Sequence, residues 1–214
     1  MEIKKVSLKS LVDGFSSPWP DVISVPWDRG NGVPENPTYR YEMECIATLC
    51  KLQNPKKAFE FGTFEGFTTL VMAANTPEDA LIYTLDLPLD WMPDLEPEWD
   101  RYNTSFAINR KRKNFFKGQL EERKINRIYE DSLKFDPAPY KGSIDFILVD
   151  ANHQRKYLER DTNNAIKMCR PSGIILWHDY GSTWPDVTPF LNGLADSIDM
   201  VQIEGTNYAI HRRR

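Results

Sequence analysis

Lys57-Ala58-Phe59-Glu60-Phe61-Gly62-Thr63-Phe64-Glu65-Gly66-Phe67-Thr68-Thr69-Leu70 reads as a buried strand carrying an acid, a turn marked by two glycines, and the opening of a helix. Ala58, Phe59 and Phe61 supply the strand. Gly62 permits a positive φ or the close approach of a ligand, and Gly66 lets the following helix pack tightly on the sheet. A strand that runs into a helix N-terminus in this way makes a pocket floored by backbone N–H groups, which suits a polar adenosyl ligand. The dinucleotide fingerprint G-x-G-x-x-G is absent, since three residues separate Gly62 from Gly66. The phosphate-cradling loop fails as well, because Phe67 and Thr68 follow the second glycine where Lys and then Ser or Thr are required. Taken alone, the motif is also what an ordinary strand-to-helix turn looks like, so the rest of the chain must decide.

Further elements follow in alternation. Upstream, Tyr41, Met43, Ile46, Ala47, Leu49 and Cys50 recur at helical spacing from Tyr39 to Leu52, and Asn54-Pro55 stops that helix. Downstream, Thr68 to Ala74 is helical and Ala80 to Leu85 is a strand ending at Asp86, where a ribose-binding acid projects in a dinucleotide-type fold. Leu87 to Ser105, rich in Pro, Asp and Trp, is an insertion beyond that strand end. Ile125 to Tyr129 is a third strand, ending in Glu130-Asp131-Ser132, and an acid there can accept from an exocyclic adenine amine. Ile144 to Val149 and Gly173 to Trp177 are a fourth and a fifth strand, ending in Asp150-Ala151-Asn152-His153 and His178-Asp179-Tyr180. The helix Tyr157 to Cys169 joins them, with Arg170-Pro171-Ser172-Gly173 as stop and turn, so the two strands form a parallel crossover unit. Val187 to Leu194 is a helix, and Met200 to Ile203 with Asn207 to His211 make a hairpin around Glu204-Gly205-Thr206.

At 214 residues and 41% hydrophobic content the chain has the size of one large α/β domain. A net charge of -4 and a pI of 5.5 argue against a general polyanion-binding surface and hence against nucleic acid. The basic run Asn109 to Asn114, followed by Phe115, Phe116 and Leu120, reads as an amphipathic helix with a solvated face. Cys45, Cys50 and Cys169 form no C-x-x-C pair, which fits a reducing cytoplasm better than a disulfide framework. No run approaches the roughly 18 apolar residues that span a bilayer, and Met1-Glu2-Ile3-Lys4-Lys5 leads no apolar export segment. Pro18 to Pro37 holds five prolines, so residues 1–37 are expected as an irregular N-terminal arm or lid and residues 38–214 as the folded domain.

Glu60-Phe61-Gly62-Thr63-Phe64-Glu65-Gly66-Phe67-Thr68 resembles the first motif of class I S-adenosylmethionine methyltransferases, in particular the catechol-type and macrocin-type small-molecule O-methyltransferases. The resemblance runs from about Thr38 to His211. It implies a Rossmann-like three-layer αβα sandwich, mostly parallel, with an antiparallel C-terminal hairpin strand. It implies S-adenosylmethionine as cofactor, held by Glu60, Gly62, Thr63, Phe64, Gly66, Thr68, Asp86 and Asp150, with Asp131 and Ser132 at the adenine position. Metal-dependent members place acids after the fourth and fifth strands, which here fall on Asp150, His178 and Asp179. His178 departs from that carboxylate pattern. Mg²⁺ prefers oxygen ligands and a histidine favours Zn²⁺, Mn²⁺ or Fe²⁺, so His178 is either a ligand or a base in a metal-free site.

Methyl transfer from a sulfonium needs an aligned nucleophile, a base or metal that makes it more anionic, and exclusion of water. His153 is the preferred base, with Asp150 and His178 as the other catalytic candidates, because neutral imidazole takes a hydroxyl proton near neutral pH. A helix-capping or surface histidine is the plain alternative. Trp91, Trp99, Trp177 and Trp184 flank these clusters as candidates for an acceptor pocket, though core packing is the commoner role for any one. No Asn- or Asp-Pro-Pro-Tyr tetrapeptide follows the fourth strand, which favours oxygen over nitrogen as acceptor atom. The expected acceptor is a small-molecule phenol or sugar hydroxyl, and a homodimer through the N-terminal arm is compatible with the sequence. Two other readings stand beside this one: a non-catalytic cofactor- or partner-binding module of the same fold, and an enzyme that uses the same cofactor for a different transfer.

Overall fold

The computed structural model describes residues 2–15, 18–29, 32–88, 105 and 114–213. The insertion beyond residue 88, the basic run up to Lys113, Trp91 and Trp99 lie outside the described residues.

Eight strands form one sheet: β1 (Lys4–Val6), β2 (Lys57–Phe61), β3 (Leu81–Asp86), β4 (Ile125–Tyr129), β5 (Ile144–Val149), β6 (Cys169–Trp177), β7 (Val201–Ile203) and β8 (Ala209–Arg212). Their order is β1-β7-β8-β6-β5-β2-β3-β4. β8 runs antiparallel to β6 and β7, and the other pairings are parallel. The expected mostly parallel sheet with an antiparallel C-terminal hairpin strand is what the molecule has. β5, Ile-Asp-Phe-Ile-Leu-Val, is buried at every position, as a central parallel strand covered on both faces must be.

Alternate residues of the strands feed two cores. Ala58, Ile82, Phe146, Leu148, Ile174 and Leu176 face α1 (Leu8–Val12), α2 (Pro37–Gln53) and α3 (Phe67–Ala74). Phe59, Phe61, Ile147, Val149, Ile175 and Trp177 face α4 (Arg155–Met168) and α5 (Val187–Leu194). The period of two thus sorts side chains into the two outer layers of a three-layer sandwich. α2 starts at Pro37, with the Asn36 side chain accepting from the backbone N–H of Thr38 at 2.9 Å, and stops at a left-handed Asn54 with φ 47°. Among the described residues, no helix is long and apolar enough to cross a membrane.

Three local expectations are corrected. Arg170 to Gly173 does not turn but lies inside β6, where the pairing with β5 shifts register between Ile144 and Phe146 and Ser172 takes φ 64°. An irregularity of the ladder, with extra residues on β6, absorbs the Pro and Gly that a local reading takes as a break. Asn114 to Gln119 is turn rather than helix and leads into a short 3-10 helix at Leu120–Lys124. Within the segment expected as an irregular arm, β1 and α1 are regular, and β1 adds to the sheet beside β7. A three-residue strand has too little periodicity to be read locally, and its partner lies at the far end of the chain.

Ser24 and Trp27 of the arm contact the two ends of α3. The Asn75 carboxamide accepts from Ser24 N–H at 2.8 Å and donates to Ser24 O at 2.6 Å and Val71 O at 2.7 Å. Trp27 stacks on Phe67 with ring centroids 5.1 Å apart, and Arg29 pairs with Glu121 at 2.8 Å.

Candidate active site

Because β2, β3, β4, β5 and β6 are parallel, their carboxyl ends open on one edge, and the strand order reverses between β2 and β5. A cavity of about 570 Å³ lies there. It is lined by Gly62, Thr63, Phe64, Gly66, Thr68, Asp86, Asp131, Ser132, Asp150, His153, His178 and Asp179. Position at the switch point of an open parallel sheet is where ligands bind in this architecture.

Gly62 takes the positive φ that its sequence reading allows, whereas Gly66 is required for a different reason than the one read from the sequence. Gly62 has φ 93°, and a Cβ there would sit 2.0 Å from the carbonyl oxygen of Asp150. Its freedom lets the β2 and β5 ends close on each other, with Asp150 N–H donating to Phe61 O, while Gly62 N–H donates to Leu85 O of β3. Gly66, φ 78°, is the N-cap of α3, and a Cβ there would meet the Phe116 ring at 2.5 Å. The neighbour that demands glycine is therefore a ring from a distant turn and not the sheet.

Glu60, expected to touch the cofactor, is 1% exposed and is not among the lining residues. Thr69 and Thr84 hydroxyls donate to its Oε2 at 2.5 and 2.6 Å, and Thr63 bridges to Thr84 at 2.6 Å. Burial raises its pKa to about 8, against the lowering effect of those hydroxyls. Glu60 thus ties β2, β3, α3 and the glycine loop together from below. Asp86 holds the loop from above: Oδ2 accepts from Phe64 N–H at 2.9 Å and Oδ1 from Leu87 N–H at 2.8 Å. Asp131 Oδ1 accepts from Leu133 N–H at 3.0 Å. Ser132 is bonded to Asp161, a carboxyl buried in α4 whose pKa burial lifts to about 7.

The β5 and β6 ends carry a denser network. His153 Nε2 lies 2.7 Å from Asp179 Oδ2, and its ring stacks on Trp184 with centroids 4.0 Å apart and planes 3° from parallel. His178 lies between carboxylates, with Nδ1 3.2 Å from Asp150 Oδ1 and Nε2 3.3 Å from Glu42 Oε2. Burial disfavours its charge, but Asp150, Asp179 and Glu42 outweigh that and hold its pKa well above the ordinary histidine value. Asp179 has φ 65°, and hydrogen bonds from His153 and His178 overcome its burial to keep it well below the usual carboxylate range. Tyr39, which also lines the cavity, is pushed up to about 12 by burial and by the Asp150 charge, so it stays a phenol at neutral pH.

Asp150, His153 and Asp179 each offer a ligand atom, and these atoms lie within 4.8 Å of one another. This mixed oxygen and nitrogen set is compact enough for one divalent cation and suits Mn²⁺, Fe²⁺ or Zn²⁺ better than Mg²⁺. His153 enters this group in the place expected for His178, whose two nitrogens both face carboxylates. Glu42, Tyr39, Trp27 and Trp184 complete the walls or their support, whereas Trp177 is a core residue bonded to Thr162. Glu42 was legible only as the one acid on the mostly apolar buried side of α2. Its partner His178 comes from the opposite half of the chain.

Residues 59–180, more than half of the chain, match a family model described as a methyltransferase domain. A flavonoid 3',5'-methyltransferase of Vitis vinifera is 29% identical over 137 residues, which covers 62% of this chain and 50% of that protein. A caffeoyl-CoA O-methyltransferase of Stellaria longipes is 27% identical over 141 residues, covering 63% and 50%. The matched segments thus span about half the length of these curated relatives. The solved structure of the SAH-bound methyltransferase PaMTH1 of Podospora anserina superposes with a TM-score of 0.59 at 17% identity, covering 96% of this chain and 93% of that one. The O-methyltransferase TomG of Streptomyces achromogenes, solved with SAM, gives 0.57 at 16% identity, covering 99% and 92%. These two likenesses establish the fold, and the match over residues 59–180 agrees with the glycine motif at its head: the chain belongs to the methyltransferase-domain family.

Proposed function

We propose that the protein transfers the methyl group of S-adenosylmethionine to a hydroxyl of a small molecule, of phenol or sugar type. The observation that carries this reading is the convergence, on one cavity at the carboxyl ends of β2 to β6, of the glycine loop, Asp86, Asp131 and the His153-Asp179 pair. The named relatives methylate flavonoids or caffeoyl-CoA, which is consistent with an oxygen acceptor. In this reading the adenosine half of the cofactor lies along Gly62 to Phe64, Asp86, Asp131 and Ser132, and the sulfonium lies toward Asp150. Asp179 accepts from Nε2–H of His153, which makes Nδ1 the proton-accepting nitrogen. The acceptor oxygen attacks the methyl carbon in line, the S–CH₃ bond breaks with its electron pair on sulfur, and the hydroxyl proton passes to His153. Trp27 and Pro34 of the arm line one side of the cavity, and in this reading exclusion of water there favours a charge-neutralising transfer.

A second reading of the same site rests on the compact grouping of Asp150, His153 and Asp179. These residues would hold a divalent cation, which lowers the pKa of a hydroxyl bound to it. Calorimetric titration with S-adenosylmethionine and S-adenosylhomocysteine, with NAD as control, tests the cofactor. Micromolar binding of the first two and none of NAD is expected, and failure to bind either sulfur ligand sinks the proposal. Turnover of catechol before and after EDTA separates the base from the metal reading.

A further inference from the structure

Nothing in the chemistry above explains the Trp184 indole, which lies flat on His153. We propose that Trp184 is a positioning residue for the transfer step: it fixes the plane of the His153 imidazole, while Asp179 fixes its Nε2. The inference rests on the functional reading above, in which His153 serves as base or ligand.

A hydrogen bond at one nitrogen sets the distance and leaves the ring able to rock about that contact. A second ring 4.0 Å away and 3° from parallel removes that motion. Together, the contact to Asp179 at 2.7 Å and the stack define both the position and the plane of the imidazole. Ring pairs of this kind attract beyond the burial of their area and so favour the stacked orientation of the imidazole.

The loop that carries Trp184 is itself held. Asp186 Oδ2 accepts from the backbone N–H of Arg155 at 3.0 Å, clipping this loop to the first turn of α4 just beyond His153. Ser182 N–H donates to Asp179 O at 3.1 Å, and Gly181 N–H donates to Thr188 Oγ1 at 2.8 Å. The left-handed backbone of Asp179, φ 65°, aims its carboxylate at the imidazole. Two loops from different strands are therefore joined at Asp179, Trp184 and Asp186, and each junction involves His153 or its immediate neighbours. This is the support that a catalytic side chain needs when misplacement by about 1 Å can cost about a hundredfold in rate.

The test compares wild type, W184A and W184F, with S-adenosylmethionine as donor and catechol as acceptor probe. W184A is expected to lose at least about tenfold in kcat. Its dissociation constant for S-adenosylmethionine, read by calorimetry, should stay within about twofold of wild type, since the cofactor half of the cavity is built elsewhere. W184F, which keeps an aromatic face, should recover most of the loss. The independent readout is the proton NMR of the ring of His153, one of only three histidines, assigned by its loss in H153Q. In wild type the indole ring current shifts these resonances upfield; W184A should return them to ordinary positions and W184F to intermediate ones. Unaltered kcat in W184A, or a loss of cofactor binding that matches the loss of turnover, overturns the proposal. If wild type methylates no phenol, the phenol part of the functional reading fails by itself. The resonances then decide the contact: upfield shifts released in W184A support it, and unshifted resonances overturn it.

Discussion

The two ends of the cavity are built by different means. At the β2 to β4 end the lining comes from short consecutive stretches, and backbone does most of the work: the glycine loop is bonded through its own N–H groups to Leu85 O and to Asp86. At the β5 to β6 end the lining is a network of ionisable side chains drawn from α2, the two strand ends and the loop before α5. Contacts of the first kind follow from a local motif. Those of the second exist only because the sheet order brings Glu42, Asp150 and His178 together. The difference matches the division of labour proposed here, since a shared cofactor is well served by a local backbone motif and a particular acceptor by side chains that can vary.

Four experiments break or sharpen this contrast. The largest effect is expected for Gly62→Ala. A Cβ 2.0 Å from a backbone oxygen, at φ 93°, cannot be relieved by a rotamer change, so β2 and β5 must separate. Loss of soluble folded protein, or a destabilisation above about 3 kcal/mol in denaturant melts, is predicted. A normally folded variant would refute the account of that closure.

Next come the paired substitutions Asp131→Ala and His153→Ala. The first should weaken S-adenosylmethionine binding at least about tenfold, as loss of a hydrogen bond to a charged group does. The second should leave binding in place and lower turnover about 10²- to 10⁴-fold. Equal loss of binding in both would erase the division between the two ends.

Asn75→Ala is predicted to lower stability by about 1–3 kcal/mol, because it strips the hydrogen bonds that hold Ser24 and Val71. Limited proteolysis should then cut the arm near Ser24 faster than in wild type, and an unchanged cleavage rate would mean that Trp27 and Arg29 hold the arm without it.

A pH dependence is expected beneath the cofactor end. The Glu60 pKa is raised by burial from 4.5 to about 8, so the folded state binds a proton that the unfolded state has released in that window. Its contribution to stability is therefore fully present below pH 4.5 and is lost as pH rises toward 8. Glu60→Gln should gain stability relative to wild type between pH 5 and pH 8.5 in paired thermal melts. A difference that does not change with pH would contradict a protonated Glu60.

Most of the sheet was legible in the chain. β4, β5 and α5 have the limits that their apolar runs imply, and β2 to β6 are long enough for periodicity to be counted. Legibility failed where a local signal was overruled by a distant partner. Pro171 and Gly173 read as a turn because their effect is local, yet β6 carries them through a shift of its register on β5. β1 was missed because three residues hold no pattern, and β7 supplies its reason to be a strand.

The sequence by itself determined the alternation of strands and helices, the family motif at Glu60 to Gly66, and the set of polar residues that end the strands. These are properties of residues near one another in the chain, where spacing alone fixes which face or end a side chain occupies. Only the tertiary structure decided that Glu60 lies beneath the cavity and that His153 pairs with Asp179 under Trp184. It alone placed Glu42 of α2 against His178. These contacts cross tens to more than a hundred residues, and the energies that select them come from burial and charge in a shared volume, which no local spacing encodes.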